Sequence, residues 1–194
     1  RALIIVHGAG RNADSYFASG VAGALIAGAL ETSLVIAPRL ASNQGAGCKD
    51  ALEPGEISWV CGGEDDWRGG GAAHGIKGLY TFSLVDELIR MLGRRDLFPN
   101  LRAIVVSGHS AGGQFANRYA AAAQAEKTSA VPVKYVVMNP SSYLYLDPTR
   151  LPPGATCSEK GECTGQFGEY REGRNCTTYN LWRYGLEKRS AYGA

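Results

Sequence analysis

Gly108-His109-Ser110-Ala111-Gly112 constrains this chain more than any other stretch, because of what stands on either side of it. Upstream, residues 102–107 form a short, apolar, β-branched run with the pattern of a buried strand. Downstream, residues 111–125 are rich in alanine and carry Gln114, Phe115, Arg118 and Tyr119, which reads as a helix. A strand that enters a helix through Gly-x-Ser-x-Gly must turn sharply, and it needs glycine at both flanks because a Cβ would collide with neighbouring backbone. Such a turn lifts the Ser110 hydroxyl above the sheet. It also aims the hydroxyl at a helix N-terminus, where free backbone N–H groups favour developing negative charge.

A second motif complements the first. Residues 2–6 are continuously apolar and run straight into His7-Gly8-Ala9-Gly10-Arg11-Asn12. A buried strand ending in a His-Gly-x-Gly loop resembles the arrangement that, in lipases and esterases, supplies a backbone N–H to the same developing charge. Gly8 and Gly10 free the loop to do so, and Ala9 is the expected donor. His7 is expected to brace the loop through hydrogen bonds rather than move protons, and His109 to pack beside the turn.

The remaining chain alternates strand and helix. Residues 14–30 read as a helix with Asp14 as a candidate N-cap, and the Ala/Gly/Leu stretch from 21 to 30 is expected to pack on a sheet. Residues 33–37 and 135–138 read as strands. Apolar positions at 79, 82, 85, 88, 89 and 92 mark an amphipathic helix. The β-α-β-α-β-α-β order predicts an α/β fold, a mostly parallel sheet with helices on both faces. The expected division is a core over 1–146 and an irregular, cysteine-containing insertion or lid over 147–194, all within one domain. A site in such a sheet lies at the carboxyl ends of the strands. Asn12, Asn139, Ser141 and Tyr143 are therefore candidate cleft residues beside Ser110. Residues 180–185 are dense in aromatics and read as the start of a lid helix or a core-covering helix.

With these motifs the chain resembles the α/β-hydrolase superfamily over residues 2 to about 146. Specifically it looks like secreted esterases with Gly-His-Ser-Ala-Gly-Gly elbows, of the polyhydroxybutyrate-depolymerase-like and feruloyl-esterase-like kinds. The resemblance implies Ser110 as nucleophile, with the Ala9 and Ala111 N–H groups as oxyanion donors. It also implies a triad in the order Ser, acid, His. The chain departs from that order: its three histidines are His7, His74 and His109, and none follows Ser110. The base and the acid are therefore expected beyond residue 194, the segment alone is expected to be inactive, and both ends are expected to be incomplete. Asp147, the first aspartate after the fourth strand, is more simply a loop residue. The function implied is cleavage of a carboxylic ester through an acyl-enzyme. The alternatives are a peptidase of the same superfamily and a binding domain that kept the elbow but lost the base.

Composition narrows the partners. A net charge of +2 without basic runs argues against nucleic acid, and no stretch has the apolar length of a membrane span. The expected partner is a small or polymeric ester, with no metal and no organic cofactor. Five cysteines, Cys48, Cys61, Cys157, Cys163 and Cys176, all lie in Gly-, Pro- and charge-rich stretches, which predicts disulfides and a secreted or extracytoplasmic protein. Cys48 and Cys61 bracket one loop and are the expected pair, and one of the other three is left over. Asn175-Cys176-Thr177 is a glycosylation sequon. Glu64-Asp65-Asp66 lacks the ligand spacing of a calcium loop and reads as solvated.

Overall fold

A computed structural model describes residues 1–45, 47–63, 66–170 and 176–192. Asn175, Glu64 and Asp65 fall outside the described residues, and the glycan and calcium readings with them. The chain packs as two compact units, Arg1–Ser142 joined by the residues from Ser190 on, and Tyr143–Arg189.

The first unit is the expected α/β sheet. Strands β1 (Ala2–Val6), β2 (Leu34–Ile36), β3 (Ile104–His109) and β4 (Val133–Met138) lie in the order β2-β1-β3-β4, all parallel. Register sets two faces, because laterally paired residues point the same way. Ile4, Val106 and Tyr135 share a row, and Tyr119 meets the Tyr135 ring at 6.1 Å, so this row faces α3 (Ala111–Ala122). The row through Leu3, Val105 and Lys134 faces the other way, toward α1 (Ala13–Ile26).

Helix α2 (Thr81–Leu92) and α3 build the denser core. Phe82, Val85, Ile89 and Leu92 are fully or almost fully buried, as their spacing predicts. The Phe82 ring meets Phe115 at 5.0 Å, Tyr119 at 5.3 Å and Tyr192 at 5.3 Å, each edge to face. Asp86 lies on the same buried stripe. Its carboxylate accepts from the Tyr119 hydroxyl at 2.7 Å, the Ala125 N–H at 3.0 Å and the Tyr192 hydroxyl, which satisfies a charge that burial alone would penalise.

Helix α1 differs from its sequence reading at both ends. Its N-cap is Asn12, and Asp14 sits inside the first turn, where a carboxylate complements the helix dipole. It stops at Ile26 because Gly28, at φ 60°, takes the left-handed conformation that ends helices, and Leu30–Thr32 makes a separate 3-10 turn. Its sheet-facing side is the small-residue one. A Cβ on Gly20 would stand 2.9 Å from Val35 Cγ1, whereas Leu25 and Ile26 are 63% and 87% exposed. The large apolar side chains therefore point away from the sheet. A groove of about 390 Å³ stays open between Gly20, Gly23 and Ala24 of α1 and Val105, Val136 and Met138 of the sheet.

Between β2 and α2 the chain makes a long excursion, residues 37–80, with no periodic pattern. It is organised by point contacts: the Cys48–Cys61 disulfide, isolated bridges Trp59↔Ala73 and Ala72↔Tyr80, and a 3-10 turn Trp67–Gly69. Asp66 caps that turn by accepting from the Arg68 N–H at 2.9 Å, so the third member of the acidic trio has a local structural task. Trp59 and Trp67 are each 2% exposed, which makes the excursion part of the core.

The second unit has no helix among its described residues. Its regular structure is one two-residue antiparallel ladder, β5 (Thr149–Arg150) with β6 (Gly168–Glu169), beside the Cys157–Cys163 disulfide. Cys176 is the cysteine left unpaired. Arg150 is its hub: the guanidinium lies 3.8 Å from the Tyr145 ring centroid and donates to the Tyr179 and Tyr184 carbonyls at 3.1 Å each. Residues 180–185 form turns and not the expected helix: the Asn180 carbonyl accepts from Glu187 N, and Leu181 O from Tyr184 N and Gly185 N. Asp147 accepts from the Thr149 N–H at 2.8 Å and from its hydroxyl, as a loop aspartate does.

Because Cys48 and Cys61 are 13 residues apart, replacing both with serine is expected to lower the unfolding free energy by about 3 kcal/mol, by releasing a loop of that size in the unfolded chain. Urea denaturation of the variant against the parent measures it. An unmoved midpoint would mean that the excursion's other contacts, the buried Trp59 and Trp67 among them, hold it without the disulfide.

Candidate functional site

The Gly-x-Ser-x-Gly turn occupies the carboxyl edge of the sheet. β3 ends at His109, α3 begins at Ala111, and Ser110 between them takes φ 57°, ψ −117°. For a side-chain-bearing residue that conformation costs about 1–3 kcal/mol, and surrounding contacts must impose it. The Ser110 N–H donates to Met138 O at 3.0 Å, and Ser110 O accepts from Gln114 N at 3.0 Å. Glycines allow the closure. A Cβ on Gly108 would run into the Gly112 backbone, and one on Gly112 would strike Val6 O and come within 2.6 Å of His7 O. One on Gly113 would sit 2.5 Å from Met138 O. The turn is thus folded on itself and pressed against the ends of β1 and β4 at once.

Register brings the second motif alongside. Val6 pairs with Gly108 and His109 with Met138, so His7, Ser110 and Asn139 leave three adjacent strands at one edge. His7 is fully buried and both ring nitrogens are occupied: Nδ1 bonds Gly8 O at 2.9 Å, and Nε2 accepts from the Leu40 N–H at 2.9 Å. That pattern fixes the neutral tautomer with the proton on Nδ1. Burial pushes its pKa down, the hydrogen bond to Gly8 only partly opposing this, and the Arg11 charge adds to the depression. Trp67 packs on it with ring centroids 5.0 Å apart. His7 therefore ties the loop to the long excursion.

Among the described residues, Ala9 and Ala111 each keep a free backbone donor. The Gly8 carbonyl is taken by the Arg11 N–H at 3.1 Å and by His7, which turns the Ala9 N–H to the opposite side of its trans peptide. No described residue accepts from it. Ala111 opens α3, so its N–H has no acceptor within the helix. Gly8 lies close to the residue before Ser110: a Cβ there would be 3.8 Å from His109 O and 2.8 Å from the Tyr16 hydroxyl. Tyr16 in turn meets His109 Nδ1 at 3.3 Å. His109 thus leans toward α1.

The other cleft candidates separate. Asn12 caps α1 through its carbonyl, and its Oδ1 packs on Gly10. Asn139, at φ 42°, bends the chain out of β4. Ser141 accepts from the Gln114 amide, and its neighbour Ser142 accepts from the buried Arg118 at 2.8 Å, so this exit is anchored to α3. Tyr143 begins the second unit and is exposed there. Among the described residues no cluster of His, Cys, Asp and Glu has the arrangement of a metal site.

Three residues at this edge have roles that the sequence did not assign them. Tyr16 and Gln114 carry no motif. Arg11 follows Gly10 in the loop, yet its partner Asp50 is 39 residues away, on the excursion. Asp50 also accepts from the Ser42 N–H at 2.8 Å. Burial raises its carboxyl pKa, but the bonds from Arg11 and Ser42 and the Arg11 charge outweigh this, and the net displacement is downward.

The profile that describes the alpha/beta hydrolase family matches residues 3–180, nearly the whole chain, and the chain belongs to that family. No curated protein and no solved structure matches it. Two disulfides are compatible with an extracytoplasmic setting, and among the described residues no helix is long and apolar enough to cross a membrane.

The neutral His7 makes stability pH-dependent in a defined direction. Its folded pKa lies below the ordinary 6.5, so below about pH 6.5 the unfolded chain takes up a proton that the folded one refuses. The melting temperature is expected to hold from pH 8 to 7 and to fall toward pH 5. In His7→Gln, less stable at pH 8, that descent flattens. A descent equally steep in the variant would assign it to other groups.

Proposed function

We propose that this alpha/beta hydrolase cleaves carboxylic esters by acyl transfer to Ser110. The observation that carries the reading is the strained Ser110 turn, at φ 57° and ψ −117°, at the start of α3 and beside a loop with an uncommitted Ala9 N–H. The Ser110 Oγ attacks the ester carbonyl carbon, and its proton passes to a general base. The carbonyl oxygen becomes an oxyanion, which accepts from the Ala9 and Ala111 N–H groups in place of water. Collapse breaks the bond to the alcohol, which leaves with the proton; water then attacks the acyl carbon, giving a proton to the base, and the second collapse breaks the bond to Ser110 Oγ, which regains that proton as the acid departs. Family membership supports hydrolysis as the reaction class; the serine and the ester are our assignments.

The base is not His7, whose two ring nitrogens are committed to Gly8 and Leu40. We read the protein as secreted, on the support of its two disulfides.

In the full-length polypeptide, Ser110→Ala is expected to reduce hydrolysis of p-nitrophenyl acetate by roughly 10⁴-fold or more. A peptide p-nitroanilide offered to the parent should be cleaved far more slowly than the ester. Retained esterase activity in Ser110→Ala would remove the serine from the mechanism, and preference for the anilide would make the protein a peptidase.

A further inference from the structure

Arg11 does an unusual amount of work for a loop residue. At φ 53° it occupies left-handed backbone without being glycine. That twist lets one residue hold two consecutive carbonyls. Its backbone N–H donates to Gly8 O at 3.1 Å, and its Nη1 donates to Ala9 O at 2.6 Å. Both peptides are trans, so fixing carbonyls 8 and 9 fixes the directions of the Ala9 and Gly10 N–H groups as well.

The guanidinium is itself anchored. Arg11 Nε donates to Asp50 Oδ2 at 2.5 Å, and the two side chains are only 12% and 15% exposed. Asp50 is fixed in turn: Oδ2 accepts from Ser42 N at 2.8 Å, its own N–H donates to Ser42 O at 2.9 Å, and it follows the disulfide-bonded Cys48 by two residues. The excursion thus reaches back, through one ion pair, to the loop on which Ala9 sits.

We propose that Arg11, anchored by Asp50, is a positioning residue: its guanidinium holds the Ala9–Gly10 peptide and so the backbone torsion at Ala9, while the Ala9 N–H, whose own peptide is fixed at the Gly8 carbonyl by the Arg11 N–H and His7, is kept facing the oxyanion. This rests on the Ser110 acyl-transfer reading above and adds to it the element that sets donor geometry. Arginine is needed for its fork, since Nε and Nη1 serve two acceptors at once, whereas a lysine ammonium at the end of a flexible stem does not reproduce that planar geometry. Neither residue touches the reacting atoms. The expected signature is a loss of rate in the transition state with ground-state binding retained.

The test uses the full-length polypeptide with p-nitrophenyl acetate. Arg11→Gln is expected to lower the acylation rate by about 10²-fold, the scale of one lost oxyanion donor, with KM within a few-fold of the parent. Asp50→Asn should lower it by a smaller factor. The double variant should be no slower than Arg11→Gln, because the two act as one unit. The affinity of a phenylboronic acid, which forms a tetrahedral adduct on serine, should fall in parallel with the acylation rate. Arg11→Lys decides if Arg11→Gln does not fold. A slowed Lys variant with an unchanged melting temperature supports the positioning role, and a Lys variant with parental kinetics overturns it. If Ser110→Ala is inactive while the Arg11 and Asp50 variants keep the parental acylation rate, the inference fails and the Ser110 reading stands. If Ser110→Ala stays active, both fall.

Discussion

Backbone crowding around Gly108, Gly112 and Gly113 is the constraint on which the rest of this edge depends. Each glycine faces a carbonyl or a backbone segment where a methyl group has no room, and those neighbours belong to β1, β3, α3 and β4. The Ser110 conformation is what remains once the strand ends and the helix have been brought that close, and packing of Phe115 and Tyr119 against Phe82 holds the helix there. The local cost at Ser110 is borne by the sheet and the aromatic core together.

A second layer of order comes from the excursion between β2 and α2. It grips the β1 loop at three points: Leu40 on His7, Trp67 on the same ring, and Asp50 on Arg11. The three points involve two groups that burial would ordinarily penalise, a neutral imidazole and an ion pair with little exposure. Each is satisfied by backbone or side-chain partners, which is the condition for polar groups to rigidify a structure. The excursion is therefore a structural clamp on the loop that carries Ala9.

The sheet was legible in the sequence because parallel strands buried on both sides are near-continuous apolar runs, as in residues 2–6 and 104–106. Helix α2 was legible from its spacing. The Ser110 turn and the His7 loop were legible as motifs, because close backbone approach leaves glycine as its trace. What was not legible is what non-local contacts decide. The end of α1 turns on one left-handed Gly28, and its small-residue side rather than its leucines faces the sheet. The excursion has no period, since it is ordered by a disulfide, two tryptophans and single hydrogen bonds. The Arg11–Asp50 pair joins positions that no local pattern relates. Residues 180–185 look helical by composition but close on Asn180 and Leu181 as turns.

The most direct measurement of the central claim is peptide mapping by mass spectrometry after the full-length polypeptide has reacted with a fluorophosphonate. The account predicts a single adduct on Ser110, formed faster in native than in denatured protein, because attack on phosphorus uses the same strained turn and the same backbone donors. An adduct on another serine, or no adduct in protein that melts cooperatively, would contradict it.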